Sequence, residues 1–262
     1  MTILRGASSR TGYVGGVDLF ARPNIPRLAR ALGFVTAALV LPIALSAAAT
    51  AISQTPSSVL TAAKAAIAEQ SGVHLVVTVK PSSSSATETV VGDWGTTSGM
   101  ESFSLGKTTM TLEATPTYGY LSGNSAGLTS MFGLTAAQAK KVGKDWVSFK
   151  AGTSEYSDVV AGLTMSSAKN ILPKAKGTKL STEVAKGTKL YVLTWSVAAT
   201  SSTPKLSYAL TVSAVGKALP VEEIATASSG GKETVMFSKW GEHVVVSAPP
   251  ASSTIAYPKI SG

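Results

Sequence analysis

Few residues in this sequence could carry out covalent or metal chemistry. The chain has no cysteine, which excludes disulfides, thiol catalysis and thiolate metal sites. Its two histidines are His74 and His243. A zinc site would therefore need carboxylates for most of its ligands, which is uncommon. No phosphate-binding loop or dinucleotide fingerprint is present either. We expect neither a metal site nor a cofactor.

One motif resembles a catalytic nucleophile. Residues Gly123–Gly127 read GNSAG and match the G-x-S-x-G pattern, between a predicted strand and a predicted helix. A hydrolase of that fold needs alternating strands and helices upstream, but here short strands follow one another. The only downstream histidine is His243. The motif therefore favours a turn and a helix start at Ser125, and catalysis by this serine is kept as an alternative.

Acidic residues do not form an evident pair. Glu222 and Glu223 are adjacent in a predicted strand, so their side chains point to opposite faces. A glycosidase with two carboxylates would need tertiary contacts that the sequence does not reveal. We predict no catalytic residues and no enzymatic activity.

The positive charge is uneven along the chain. The net charge is +9, and all five arginines lie in the first 30 residues. The lysines of the remainder are spread without a cluster or interleaved aromatic residues, so nucleic-acid binding is not expected. Charged residues make up only 14 % of the chain. Such a neutral, polar composition suits an extracytoplasmic protein.

An uncharged apolar stretch, Ala31–Ile52, follows the basic residues 1–30. Its 22 residues could span the roughly 30 Å hydrocarbon core of a membrane as a helix. Basic residues before it place the following domain outside the cytoplasm. Pro42 and the small residues at its end favour a cleaved signal, with Ala49 and Ala51 as candidate cleavage positions. The long basic region favours an uncleaved membrane anchor instead.

Residues 53–262 read as one extracytoplasmic domain that begins with a helix. Thr55 is a good helix cap, Pro56 suits the first turn, and Gly72 is a plausible stop. Between the cap and the stop, apolar residues recur at helical spacing. They are Val59, Leu60, Ala63 and Ile67.

The rest of the domain reads as strands with a helical insert. Strands are predicted at 73–80, 87–93, 101–105, 107–114, 117–121, 144–150, 179–185, 189–198, 205–214, 221–228, 233–239 and 242–247. Helices are predicted at 126–132, 135–142, 155–163 and 166–172. Short strands broken by Gly and Ser indicate an antiparallel meander. The fold class is α+β, with a single curved antiparallel sheet whose concave face is covered by helices.

The helical insert is rich in apolar side chains. They are ordinary core residues on one interpretation. On another they line a cavity between helices and sheet, since flexible Met and Leu side chains adapt to an apolar guest. The predicted ligand-binding residues are Met131, Phe132, Leu134, Leu163, Met165, Ile171 and Leu172.

The C-terminal run KETVMFSKWGEHVVVSAPP, Lys232–Pro250, resembles the closing hairpin of the LppX/LprG-type lipoproteins. Further segments agree with that family in order. They are Thr115–Tyr120, Lys144–Val147, Lys189–Leu193 and Leu219–Val221. The resemblance covers roughly residues 56–250 and contains no single specific motif.

This resemblance implies a LolA-like fold, a half-open antiparallel β-barrel around helices. It also implies a protein of the cell envelope that binds or carries an acylated lipid or another hydrophobic ligand. The family's members carry a lipidated cysteine after the signal, and this chain has none. We therefore expect it to be secreted, or held at the cytoplasmic membrane by residues 31–52. The alternatives are an exported structural or interaction domain without a ligand and, less favoured, a secreted serine hydrolase.

Overall fold

The computed structural model describes residues 54–82, 86–160, 162–200 and 203–261. The predicted basic region 1–30, the apolar stretch 31–52 and the cleavage candidates Ala49 and Ala51 lie outside the described residues. Within the ranges above, no helix is long and apolar enough to cross a membrane.

The first helix, α1 (Pro56–Ala68), begins where the sequence predicts. The Thr55 side chain accepts a hydrogen bond from the Ser58 backbone N–H, and the Ser58 side chain accepts one from the Thr55 N–H. This reciprocal capping box satisfies two N–H groups that would otherwise lack partners. The predicted stop at Gly72 is wrong. The helix is capped by Glu69, and Gly72 already belongs to the first strand.

Twelve strands form one sheet. The first six are β1 (Gly72–Lys80), β2 (Glu88–Gly95), β3 (Gly99–Leu105), β4 (Thr108–Ala114), β5 (Tyr118–Gly123) and β6 (Trp146–Lys150). The other six are β7 (Lys179–Ala185), β8 (Thr188–Val197), β9 (Leu206–Ser213), β10 (Pro220–Ala227), β11 (Lys232–Ser238) and β12 (Thr254–Ala256).

The insert between β5 and β7 contains most of the helices. They are α2 (Ser125–Ser130), α3 (Ala136–Val142), α4 (Ser154–Val160), α5 (Met165–Ala168) and a 3₁₀ turn at Lys169–Ile171. A second 3₁₀ turn, Ala251–Ser253, and α6 (Pro258–Ser261) flank β12. The four predicted helices of the insert are thus all present, although the last one is a short α-helix continued by a 3₁₀ turn.

Pairing of β1 with β11 joins two antiparallel meanders into the sheet, in the order β12-β6-β5-β4-β3-β2-β1-β11-β10-β9-β8-β7. The outermost strands, β12 and β7, do not pair with each other, so the sheet is open. Only the short edge strand β12 runs parallel to its neighbour, β6, among the described pairs. The predicted α+β class and single curved, half-open antiparallel sheet are confirmed.

The predicted strand 242–247 is wrong, and with it the second arm of the expected closing hairpin. β11 already pairs with β1 on one side and β10 on the other, so no free edge remains for a hairpin partner. The segment instead crosses the ends of β1 and β2, where Ser98 Oγ donates to the Val244 carbonyl at 3.0 Å. A side chain at Gly72 would collide with the Glu242 carbonyl, which explains the glycine at this crossing.

The helices lie on one face of the sheet, called here the helix face. Alternate residues of each strand point to it, as the two-residue period of a strand requires. On β9 the burial pattern is strict, because Leu206, Tyr208, Leu210 and Val212 are buried and the intervening residues are not. The opposite face is called the outer face.

Candidate functional site

One half of the helix face is closely packed. Helices α2, α3 and α4 cover β4, β5 and β6, and the resulting core includes Leu121, Leu128 and Phe149, each at most 2 % exposed. A side chain at Gly99 would meet the carbonyl oxygen of Leu163, so backbone packs directly on backbone here. Two predicted ligand-binding residues, Leu134 and Leu163, belong to this core, and two more, Met131 and Phe132, are partly buried and pack against it.

The middle of the helix face is covered by α1 and α5. Ile67 of α1 and Met165 of α5 pack in one cluster with Val73, Leu75 and Trp94. The first turns of α1 extend this cover over β8 and β9. They bury Val59, Leu60 and Ala63 against Leu193, Leu210 and Val212 of the sheet.

Beyond α1 and the Lys169–Ile171 turn, the helix face of β8 and β9 is only partly covered. This leaves a groove of about 190 Å³ between that turn and the segment before β9. We call it the apolar groove. Its lining residues are Asn170, Ile171, Leu172, Pro173, Trp195, Val197, Thr203, Pro204, Leu206 and Tyr208.

Two stacked aromatic rings form one wall of the apolar groove. Trp195 on β8 and Tyr208 on β9 are directly opposite in register, and their ring centroids lie 4.9 Å apart at an interplanar angle of 4°. Stacking hides one face of each ring from water and leaves a flat apolar surface. Val197, at the end of β8, is 49 % exposed and marks the groove mouth.

The size of the groove limits what it can hold. Sites for drug-sized ligands usually enclose about 300–1,000 Å³. A groove of about 190 Å³ accommodates only a slender apolar segment, with the remainder of the ligand outside. With mostly aliphatic and aromatic walls, it favours a hydrocarbon chain over a polar guest.

A wider trough of about 540 Å³ lies on the outer side of the same strands. Small and hydroxyl-bearing side chains line most of it, among them Thr194, Ser196, Ser207 and Thr226. Trp195 and Tyr208 contribute to both cavities. Because Lys179 and several hydroxyl groups line it, the trough is more polar than the groove and is a poorer site for an apolar guest.

A buried carboxyl group lies on the helix face away from the groove. Glu101 on β3 is 2 % exposed, and its Oε1 accepts a hydrogen bond from Trp94 Nε1 at 2.8 Å. Burial raises the pKa of Glu101 to about 8, against a smaller lowering by the Trp94 hydrogen bond. The group is therefore mainly protonated at neutral pH, which keeps this face uncharged at that position.

The Gly123–Gly127 motif builds a strand-to-helix corner. Asn124 caps α2, where its Oδ1 accepts from the Gly127 N–H at 2.9 Å and its Nδ2 donates to the Lys107 carbonyl at 2.6 Å. None of the hydrogen bonds among the described residues joins Ser125 to a histidine. The sequence interpretation as a turn and helix start agrees with this geometry.

The two histidines lie in different surroundings. His74 is on the outer face of β1, and its Nδ1 lies 2.6 Å from Asp93 Oδ1 on β2. His243 follows β11 in the crossing segment. In the part of the chain that the structure describes, no three His, Asp or Glu side chains are grouped as metal ligands.

The structure divides the seven predicted ligand-binding residues between three places. Four lie in or against the packed core, Met165 belongs to α5 over the middle of the helix face, and Ile171 and Leu172 line the apolar groove. Sequence reasoning missed Trp195, Val197, Leu206 and Tyr208 as groove residues. Their two-residue period was visible in the strand predictions, but a period alone does not show which buried face is left uncovered by helices.

The sequence matches no protein-family model and no curated protein sequence. Several solved structures are similar to this one over most of their length. The lipoprotein LppX of Mycobacterium tuberculosis is 17 % identical with a TM-score of 0.44, and the match covers 73 % of this chain and 99 % of LppX. LprF from Mycobacterium bovis is 13 % identical with a TM-score of 0.48, covering 74 % and 96 % of the two chains.

A DUF1329 family protein from Desulfovibrio piger is more distant, at 8 % identity and a TM-score of 0.33, with 74 % and 96 % covered. At such identities and TM-scores the similarity carries no conclusion about the function of this chain. The sequence resemblance to LppX/LprG-type lipoproteins has a structural counterpart in the matches to LppX and LprF, which carry no argument about function.

Proposed function

We propose that this protein binds the hydrocarbon chain of a lipid, or of a similar amphiphile, in the apolar groove. The observation that carries the proposal is the partly covered helix face of β8 and β9, where the stacked Trp195 and Tyr208 rings line the groove together with Ile171 and Leu172. Burying apolar ligand surface there contributes about 25 cal/mol per Å². No reaction is involved in this role, and the protein acts as a binder or carrier.

The proposed place of action is outside the cytoplasm. The support for it is the apolar stretch 31–52 preceded by basic residues, together with a composition in which only 14 % of the residues are charged. On this proposal residues 53–262 form one exported domain. If the stretch is cleaved near Ala49 or Ala51, the protein carries its ligand through the aqueous phase. If the stretch is retained, it holds the groove near the membrane.

The experiment compares two charge insertions in the full chain. Val197→Glu places a carboxylate at the groove mouth, whereas Val184→Glu makes the same change on β7 at a residue that is 71 % exposed and does not line the groove. Both proteins and the wild type are purified from the producing cells. Bound lipid is measured by native mass spectrometry and by extraction.

We expect lipid on the wild type and on Val184→Glu, and a loss of about tenfold or more on Val197→Glu, since a charge in an apolar site must be desolvated. Binding of a fluorescent fatty acid gives a second measurement with a defined ligand. Equal lipid content in the two variants would contradict the proposed site. A wild-type protein that neither carries lipid nor takes up the fatty acid would contradict the function.

A further inference from the structure

Four exposed lysines lie beside the apolar groove and the trough behind it. Lys174 and Lys176 follow Pro173 of the groove wall, Lys179 lines the trough, and Lys205 lies between Pro204 and Leu206, which both line the groove. We call these four residues the lysine rim. The four charges lie around one end of the sheet, because β7 begins at Lys179, β9 begins directly after Lys205, and β8 ends between them at Val197 of the groove mouth.

Acidic residues do not neutralise the lysine rim. The sequence contains no Asp or Glu between Asp158 and Glu183, and none between Glu183 and Glu222. Among the described residues, no ion pair includes any of the four lysines. The neighbouring Glu223 on β10 is 1 % exposed and points into the helix face. The rim is therefore a locally uncompensated positive surface.

Apolar surface is exposed at the same place. Val197 is half exposed, and Pro173 and Pro204 are partly exposed beside it. Exposed apolar residues surrounded by lysines match the interface of a membrane, where hydrocarbon lies below anionic headgroups. Lysine side chains keep their charge in water while their stems lie along apolar surface.

From this arrangement we infer that the lysine rim docks the groove mouth onto an anionic membrane surface. The inference rests on the proposed function, because docking in this orientation would bring the apolar groove to the surface from which a hydrocarbon chain enters or leaves. The partner is a lipid bilayer that contains anionic headgroups. The attraction is electrostatic and weakens as ionic strength rises.

The experiment measures flotation of the full chain with vesicles of phosphatidylcholine, with and without phosphatidylglycerol. The rim variant carries Lys174→Gln, Lys176→Gln, Lys179→Gln and Lys205→Gln. A matched control carries the same number of substitutions at exposed lysines around β4, α3 and β6. They are Lys107→Gln, Lys140→Gln, Lys144→Gln and Lys150→Gln. Both variants retain residues 1–53, so any binding by that region is common to them.

We expect phosphatidylglycerol to strengthen binding of the wild type and the control. In the rim variant we expect the affinity for anionic vesicles to fall by about a hundredfold, because each lysine near the membrane surface contributes to the electrostatic free energy of binding. Added salt should reduce the difference between the two variants. Equal affinities of the rim and control variants, or no response of the wild type to phosphatidylglycerol, would overturn the inference.

Lipid content separates this inference from the proposed function. The rim variant should keep its bound lipid, while Val197→Glu loses lipid and still responds to phosphatidylglycerol. A rim variant that loses lipid but binds anionic vesicles normally would show that the lysines contact the headgroup of the bound lipid, which also overturns docking.

Discussion

The helix face has two halves, one on β4, β5 and β6 and the other on β8 and β9. The strands of both halves alternate buried and less buried residues, but the helices cover the two halves differently. Over the first, α2, α3 and α4 fill the space, and Phe149 packs between Phe132 and Tyr257 at centroid distances of 5.6 and 5.1 Å. Over the second, α1 and one 3₁₀ turn leave a groove beside Trp195 and Tyr208. The difference shows that helix cover, rather than strand composition, decides where this fold has room for a guest.

The largest effect should come from leucine truncation in the packed half. Leu121→Ala removes a side chain that is 0 % exposed, and we expect a loss of about 4 kcal/mol in the free energy of unfolding, because its surroundings cannot collapse around the cavity. Leu206→Ala, the same change in the groove wall, should cost about 2 kcal/mol or less, since an empty space already adjoins it. Urea unfolding measures both, and equal losses would remove the contrast between the halves.

A second effect concerns Glu101, which lies between the two halves. Its pKa is about 8 in the folded protein, against an ordinary value of 4.5. Between these pH values the unfolded chain has released the proton and the folded chain still holds it. Stability should therefore fall as the pH rises through this window, by at most about 1.4 kcal/mol per pH unit, and become level above it.

Glu101→Gln should flatten this pH dependence, because glutamine keeps the acceptor for Trp94 Nε1 and cannot ionise. Its stability should exceed that of the wild type by about 2–4 kcal/mol at alkaline pH. Exposed Glu183→Gln is the control and should follow the wild type. Thermal unfolding across the pH range tests this, and a wild-type curve that rises from mildly acidic to alkaline pH would show that Glu101 is not held protonated.

The smallest effect compares the aromatic pairs of the two halves. A double-mutant cycle on Trp195 and Tyr208 should give a coupling of about 1 kcal/mol, and one on Phe132 and Phe149 a similar value. Addition of a saturating fatty acid should change the first coupling alone, because only that pair lines the groove. Both couplings are obtained from free energies of unfolding measured with and without the fatty acid. A ligand effect on both pairs, or on neither, would place the binding site elsewhere.

Most of the fold could be predicted from local sequence patterns. The cap at Thr55, the helical spacing from Val59 to Ile67 and the alternation along β1 and β9 are set by near neighbours, and the structure contains these elements where expected. The strand predicted at 242–247 is absent, although its residues suit a strand. Pairing depends on a free edge, and long-range pairing with β1 and β10 leaves β11 none.

The sequence by itself determined the element order as far as β11, the scarcity of catalytic side chains and the apolar character of the helical insert. Only the tertiary structure decided that the insert covers β4, β5 and β6 completely and leaves β8 and β9 partly open. It also decided that Trp195 and Tyr208 stack beside that opening, at the end of the sheet around which four lysines lie without an ion pair among the described residues. Periodicity shows which side chains face inward, because it is a local property. The space left between packed elements depends on contacts between residues far apart in the chain.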